Sequence, residues 1–197
     1  MLKILIILTY IISSTLSAQN TIPKIENNDW NILQEAPISI GWTYAENNYW
    51  CRSTSIINTQ IKKLQILLED QKNYPNIFDR IEKTTVYDNG NVHIFLDMPF
   101  PFAGRDYIVK YTKKERNNKI IYSYQAVKDA RAPIDDNYVR LINAAGEWHI
   151  ESINDDQSKL IYIWNGELRG DFPDWALTRA WKAQGQEVIT WIKNALE

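Results

Sequence analysis

Apolar and polar residues alternate along much of the chain, and this alternation predicts antiparallel strands. Ile38–Tyr44 alternates in this way, and Tyr49–Ile57 follows it as a hairpin partner. Glu82–Tyr87 and Val92–Leu96 flank Asp88–Asn91, whose Asn-Gly pair is the strongest short-range hairpin signal. The first half of the chain therefore contains two predicted hairpins.

The same alternation continues in the second half and predicts further strands. A turn is expected at Asn117–Asn118 and another at Asn154–Gln157. Ala144–Gly146 interrupts the longest alternating run, which indicates a bend or a bulge. The strands predicted in this part are Arg105–Tyr111, Ile120–Val127, Tyr138–Ile153 and Lys159–Trp164.

Two helices are predicted in the first part of the chain. A short helix is expected over Asn28–Gln34. A longer one over Gln60–Lys72 has leucines at helical spacing, and Asn58 or Thr59 can cap it. Tyr74–Asn76, with its central proline, is expected to close that helical region.

The longest predicted helix covers Trp175–Leu196 near the C-terminus. Gly185 lies on or beside its apolar stripe. A glycine inside a helix costs about 1 kcal/mol relative to alanine, so this one indicates close packing against the sheet or another backbone. The apolar stripe of this helix is formed by Leu177, Trp181, Val188, Ile192 and Leu196.

No internal repeat or low-complexity linker divides the chain.

The first 18 residues have the pattern of a secretory signal peptide. Lys3 provides a positive charge, Ile4–Ile12 an apolar segment, and Ser13–Ala18 a small-residue cleavage site. The apolar run is far shorter than the roughly 20 residues that cross a bilayer. We therefore expect cleavage after Ala18, one domain over residues 19–197, and a secreted or periplasmic protein.

The amino-acid composition limits the classes of molecule that the protein is expected to bind. The formal net charge is -2 and there is no basic block, so nucleic acid is not an expected partner. Contact with a membrane is expected to be transient at most, and the protein is expected to be a monomer. Cys51 is the single cysteine, so no internal disulfide can form. The eight tryptophans and eleven tyrosines suit a core, or a cavity that is apolar with a few polar points.

The common signals of catalysis are missing from the sequence. It contains no Gly-x-Ser-x-Gly, P-loop or Gly-x-Gly-x-x-Gly motif. His93 and His149 have no cysteine nearby and form no zinc signature, so they are interpreted as structural or surface residues. Cys51 is interpreted as a small buried apolar residue. The sequence therefore predicts no catalytic residue, no metal and no cofactor.

In two segments, prolines and glycines indicate the conformation of the backbone. In Met98–Tyr107, two prolines fix φ and remove amide donors, so the chain cannot continue a strand ladder there. The segment is a stiff connector that delivers Arg105 to the start of a strand. In Gly170–Trp175, the glycine ends a strand and Pro173 suits the first turn of the helix behind it.

The order and spacing of these two motifs resemble the START lipid-transfer family of the helix-grip (SRPBCC) superfamily, from about Trp30 to the C-terminus. The resemblance implies an α+β helix-grip fold, in which a curved antiparallel β-sheet wraps around a long C-terminal α-helix and leaves an internal cavity. It implies a non-catalytic carrier or sensor for a lipid or another apolar small molecule. Two alternatives stay open: a polyketide-cyclase-like enzyme of the same superfamily, and an interaction module without a cavity.

Strand parity selects the inward face of the Arg105 strand. Lys110 belongs in water, so the opposite face, which carries Arg105, points inward. The predicted ligand-contacting residues are Arg105, Tyr107, Val109, Tyr111, Trp148, Trp181, Val188 and Ile192.

The role of Arg105 stays open between a polar contact for the ligand and a structural ion pair with Asp97 or Asp106. Sterol-binding relatives carry a second basic residue where Tyr111 stands here, so a sterol ligand is not favoured. We expect the start of the C-terminal helix to move with the connector Pro99–Gly104 when ligand enters. The alternative is that these are rigid corners and that Ala130–Asp136 opens instead.

Overall fold

The computed structural model describes residues 22–24, 29–170 and 172–197. The predicted signal peptide, residues 1–18, lies outside the described residues. Within them, the strands form one curved, largely antiparallel sheet. They are β1 (Asn31–Gln34), β2 (Ser39–Ala45), β3 (Asn48–Ile57), β4 (Ile81–Val86), β5 (Asn91–Leu96), β6 (Gly104–Arg116), β7 (Lys119–Ala126), β8 (Tyr138–Arg140), β9 (Ala145–Ser152) and β10 (Ser158–Asn165).

The order across the sheet is β1-β2-β3-β10-β9-β7-β6-β5-β4, and β8 pairs in parallel with β6. The helices of the described ranges are α1 (Ile61–Glu69), α2 (Tyr74–Ile77) and α3 (Leu177–Asn194), with 3₁₀ turns at Gln71–Asn73 and Asp174–Ala176. α3 packs against β1, β2 and β3, so one end of the sheet grips the helix. The predicted α+β helix-grip architecture is confirmed. In the described part of the chain, no helix is both long and apolar enough to span a membrane.

The predicted hairpins are confirmed. β2 pairs with β3 and β4 with β5, each antiparallel. Gly90 adopts a left-handed φ of 78° in the second turn, which glycine reaches without steric cost. Asn117, at the turn between β6 and β7, has a φ of 55°, a conformation that asparagine tolerates better than most residues.

The helix predicted over Asn28–Gln34 is wrong. From Asn31 the chain forms β1, in which Asn31 pairs with Trp42 and Ile32 with Gly41 of β2. A helix this short is marginal on its own in water, whereas pairing with β2 satisfies the same backbone groups. Asn28 itself lies outside the described residues.

The run predicted as a strand over Tyr138–Ile153 is interrupted, but at residues 141–144 and not at Ala144–Gly146. The structure divides it into β8 and β9, and the backbone amide of Leu141 donates to the carbonyl of Asp106 between them. Gly146 is not at a bulge, because β9 keeps continuous register with β7 through this residue. A Cβ at Gly146 would collide with the hydroxyl of Tyr124, so the glycine makes room for that side chain.

The start of the first helical region differs from the prediction, whereas its end agrees. α1 begins after Gln60, which makes no side-chain cap, so neither Asn58 nor Thr59 caps the helix. Tyr74–Asn76 forms most of α2, the short helix that closes the region at Ile77, and Pro75 occupies its first turn. A proline is accepted there because the first-turn amides have no partner within the helix.

The close packing predicted for Gly185 is confirmed. The residue is buried on α3, and a Cβ there would collide with the hydroxyl of Ser53. The same Cβ would lie 3.2 Å from side-chain atoms of Ile40 and Trp164. α3 therefore approaches the sheet most closely at this glycine.

Candidate functional site

A cavity of about 550 Å³ lies between the concave face of the sheet and α3. This volume falls in the range of small-molecule pockets. Its walls come from β5, β6, β7, β9, β10 and α3, and from the loops at one end of these strands. The alternative of an interaction module with a solid interior is therefore excluded.

Aromatic side chains form the sheet wall of the cavity. Trp148 stacks on Tyr162 with ring centroids 3.9 Å apart, and Tyr162 stacks on Trp164 at 4.8 Å. Tyr111 lies 5.4 Å from Tyr124, and the hydroxyls of Tyr124 and Tyr162 are 3.0 Å apart. The wall is apolar over its ring faces and polar where the hydroxyls meet.

α3 supplies the opposite wall. Its cavity-lining residues follow helical spacing and are Arg179, Ala180, Ala183, Gln184, Glu187, Val188 and Trp191, and Ala176 of the preceding 3₁₀ turn joins them. Glu187 accepts two hydrogen bonds from the guanidinium of Arg80, at 2.6 and 2.7 Å. This bidentate pair, with its side chains about one-third exposed, ties the helix to the start of β4 across one side of the cavity.

Arg105 has a structural role at the edge of the cavity. It is fully buried, and its guanidinium donates hydrogen bonds to the carbonyls of Ala103, Leu168 and Arg169. It thus ties the proline-rich connector to the segment that follows β10, and it also lines the cavity.

The ion pair predicted between Arg105 and Asp106 is wrong, because Asp106 belongs to another cluster. It accepts hydrogen bonds from Arg140 at 2.6 to 2.9 Å and contacts His93 at 2.7 Å. Parity explains this arrangement: Asp106 and Arg105 are neighbours on β6 and therefore point to opposite faces of the sheet.

Two aromatic residues meet at the edge of the cavity where chain movement was predicted. Phe102 of the connector packs against Phe172, with ring centroids 4.6 Å apart, and both line the cavity. Phe100 and Trp175, next to them in sequence, are 97% and 83% exposed. The contact joins the two segments that were predicted to move, and their movement stays a prediction.

The structure brings together five of the predicted ligand-contacting residues. Arg105, Tyr107, Tyr111, Trp148 and Val188 all line the cavity. Their contact with a ligand stays a prediction.

The other three lie outside the lining. Val109 and Ile192 are fully buried in the core cluster. Trp181 packs on Trp42 and Tyr49, and its indole nitrogen donates to the carbonyl of Gly166 at 2.7 Å. The apolar stripe of α3 marks the face that packs on the sheet, and the cavity face lies beside it.

Sequence reasoning missed Tyr124 and Tyr162, which complete the hydroxyl cluster. A signal was present: Tyr122 and Tyr124 alternate within β7, and Tyr162 and Trp164 alternate within β10. Parity alone cannot say which of two inward tyrosines reaches a cavity. Tyr122 instead donates to Glu69 at 2.7 Å and lies outside the lining.

Burial keeps the tyrosines of this wall neutral. It raises the pKa of Tyr107, Tyr111, Tyr124 and Tyr162 above the ordinary value, since removal from water penalises the phenolate. Neighbouring tyrosines raise the pKa further. These residues therefore present hydroxyl groups, not phenolates, to whatever enters.

The remaining candidates for chemistry lie away from the cavity lining. His93 and His149 are buried, the first against Asp106 and the second against Glu147 at 2.6 Å. Burial raises the pKa of the Cys51 thiol, which disfavours a nucleophilic thiolate. Among the described residues, no group of histidine, cysteine and acidic side chains could hold a metal ion.

No protein-family model and no curated protein matches the sequence. Solved structures do match. The chain is similar to a STAR-related lipid transfer protein from Xanthomonas axonopodis, with 16% identity and a TM-score of 0.74 over 85% of this chain and 98% of that one. It is also similar to human StAR-related lipid transfer protein 5, with 12% identity and a TM-score of 0.77 over 87% of this chain and 88% of that one. These likenesses confirm the helix-grip fold of START domains.

A more distant likeness is to the Zhui aromatase/cyclase from Streptomyces sp. R1128. It has 17% identity and a TM-score of 0.51, over 74% of this chain and 89% of that one. The fold is therefore shared by lipid transfer proteins and by an enzyme. The fold therefore does not distinguish between these two functions, and the residues that line the cavity have to be considered.

Proposed function

We propose that this protein is a START-like carrier that encloses a lipid or another apolar small molecule in its cavity and releases it unchanged. The observation that carries the proposal is the cavity of about 550 Å³, with walls of stacked aromatic rings and aliphatic side chains. Burial of an apolar ligand against such walls gains about 25 cal/mol per Å² of apolar surface removed from water. A few hydroxyl groups can then fix its orientation.

The likeness to lipid transfer proteins supports this function. Both structures named for lipid transfer match at TM-scores above 0.7, whereas the aromatase/cyclase matches at 0.51. The carrier function also explains why charged groups line the cavity mainly near the strand ends, because an apolar ligand is not stabilised by charges along its whole length.

The test is to identify what the protein holds. The mature protein is expressed with export, purified without detergent and analysed by native mass spectrometry, followed by organic extraction. We expect a mass increment from one apolar small molecule, and transfer of that molecule between vesicles at a rate proportional to protein concentration. A protein that binds no lipid, from its host or from added vesicles, contradicts the proposal.

An enzyme of the polyketide-cyclase type is the second candidate. The close hydroxyls of Tyr124 and Tyr162 favour it, because paired hydroxyls can polarise a ligand carbonyl. The two functions differ in the fate of the ligand. Extracted ligand with an unchanged mass and fragmentation pattern after prolonged incubation supports a carrier, whereas conversion to a product supports the enzyme.

Ligand entry is proposed to require separation of Phe102 from Phe172. Their contact joins the connector to the approach to α3, and a packed interior admits no ligand without local movement. We expect Phe102→Ala to accelerate uptake of an apolar fluorophore several-fold. Trp175→Ala, at an exposed aromatic residue outside the cavity lining, is the matched control. Equal rates in both variants and the wild type point to a different opening.

Export through a cleaved signal peptide is also proposed, from the pattern of residues 1–18. We expect the mature protein to begin at Gln19 and to be a monomer in the secreted or periplasmic fraction. N-terminal sequencing and gel filtration of that fraction test both points. A mature chain that still begins at Met1 contradicts cleavage.

A further inference from the structure

The charged groups that the strands and their flanking loops contribute to the cavity wall gather at one end of the strands. Arg80 precedes β4, Asp97 follows β5, and Arg105 lies near the start of β6. The start of β4 pairs with the end of β5, and the end of β5 pairs with the start of β6, so these residues share one edge of the sheet. Glu167 joins them, since Arg105 donates to the carbonyl of the next residue, Leu168.

The opposite, inner end is lined by tyrosines. Tyr111 lies six residues beyond Arg105 on β6, which is about 20 Å along a strand. Tyr124 is its cross-strand partner and reaches the hydroxyl of Tyr162. Farther from the charged end than Arg105, the cavity lining in the described part of the chain has no charged side chain from the sheet strands β6, β7, β9 and β10.

Two groups of hydroxyls have unused hydrogen-bonding capacity: Tyr107, two residues beyond Arg105 on β6, and the Tyr124–Tyr162 pair at the inner end. In the described part of the chain, the hydroxyl of Tyr107 makes no hydrogen bond, although the residue lines the cavity. Tyr107, Tyr124 and Tyr162 all line the same cavity. The Tyr124–Tyr162 pair shares one hydrogen between two oxygens, which leaves the second hydroxyl hydrogen free to donate.

We propose that the cavity selects an uncharged ligand that places a hydroxyl or carbonyl oxygen against Tyr107 and the Tyr124–Tyr162 pair. This inference rests on the proposed carrier function and specifies its ligand class as a neutral lipid alcohol or ketone. A hydrocarbon leaves the hydroxyls unpaired. A carboxylate or phosphate at the inner end loses its hydration without gaining a cation.

A matched series of chains tests the ligand class. Radiolabelled hexadecane, 1-hexadecanol and palmitate are each loaded from cyclodextrin, and bound label is separated by gel filtration. We expect 1-hexadecanol to bind about tenfold more tightly than either of the others, the effect of one or two additional hydrogen bonds. In the variant Tyr107→Phe/Tyr124→Phe/Tyr162→Phe this advantage is lost, and the affinity for hexadecane stays the same.

Tyr122→Phe is the matched control. Tyr122 lies on the same face of β7 as Tyr124 but outside the cavity lining, so its loss leaves the alcohol preference intact. Hexadecane binding shows that the cavity of each variant is intact. If the triple variant does not fold, Tyr107→Phe decides alone by weakening the alcohol preference, because that hydroxyl bonds to no described group and its removal breaks no hydrogen bond of the fold.

The outcomes separate this inference from the function on which it rests. Equal binding of all three probes, or tightest binding of palmitate, overturns the inference and leaves the carrier function standing. An alcohol preference that survives Tyr107→Phe/Tyr124→Phe/Tyr162→Phe also overturns it. Failure of every probe to bind, together with the absence of any co-purifying lipid, overturns both.

Discussion

The two long faces of α3 differ in how they meet the rest of the molecule. One face, which includes Trp181, Gly185 and Ile189, is buried against the sheet, and at Gly185 even a methyl group has no room. The other face carries small and polar residues such as Ala180 and Gln184, and it borders the cavity. The helix is therefore fixed along one side, so the other side can adapt to a ligand at little cost in stability.

The strongest test of the packed face is Gly185→Leu. The added side chain must displace Ser53, Ile40 or Trp164, so we expect the free energy of unfolding to fall by about 1–3 kcal/mol. Chemical denaturation monitored by circular dichroism measures the change. Gln186→Leu, at the exposed neighbour, is expected to stay within about 0.5 kcal/mol of the wild type. A similar midpoint for Gly185→Leu and the wild type would contradict close packing.

The cavity face of α3 is attached to the start of β4 by a polar contact and not by close packing. The bidentate bond between Arg80 and Glu187 is partly exposed, so we expect a coupling energy of about 1 kcal/mol or less in a double-mutant cycle with Arg80→Met and Glu187→Gln. The coupling should decrease in high salt, because solvent ions screen partly exposed charges. A coupling comparable to the Gly185→Leu effect would show that both faces are fixed equally firmly.

Ala180→Leu separates stability from ligand binding. The substitution points added methyl groups at the cavity and retains a strong helix former, so we expect a stability change within about 0.5 kcal/mol. The smaller cavity should hold less lipid per protein, measured by extraction and mass spectrometry. Lys182→Leu, at an exposed position of the same helix, is the control. Unchanged lipid content in Ala180→Leu would exclude this face from the binding surface.

The smallest expected effect is a pH dependence that arises away from α3. Burial lowers the pKa of His93 below its ordinary value, and the hydrogen bond to Asp106 opposes this only in part. The unfolded chain then binds the proton more readily, so stability present above about pH 6.5 is lost as the pH falls below it. His93→Gln should reduce this acid sensitivity, measured by denaturation across that range. An equal loss in wild type and variant would assign the sensitivity to other groups.

Much of the fold could be predicted from sequence because its signals are local. The Asn-Gly turn fixes the β4–β5 hairpin, and alternation fixes which face of β6 carries Tyr107. The errors fall where a distant partner decides the structure. Asn31–Gln34 becomes a strand because β2 is available, and Tyr138–Arg140 separates from β9 because it pairs in parallel with β6.

The candidate site was less predictable than the fold. Parity identified Tyr107 and Tyr111, but the helix stripe pointed to Trp181 and Ile192, which pack in the core. Apolar character marks the face of a helix that packs tightly, whereas a cavity leaves room for alanine, glutamine and glutamate. Arg105 donates to three backbone carbonyls, and the sequence carries no signal for such contacts.

The position of β10 has a consequence for the timing of folding. In the described part of the chain, β10 lies between β3 and β9 and so joins the N-terminal strands to the rest of the sheet. Hairpins can pair as soon as they are made, but this junction waits until residue 165 has been made. The complete sheet thus forms only when β10 is available. A chain passing through a membrane channel would remain open until its last strand arrived.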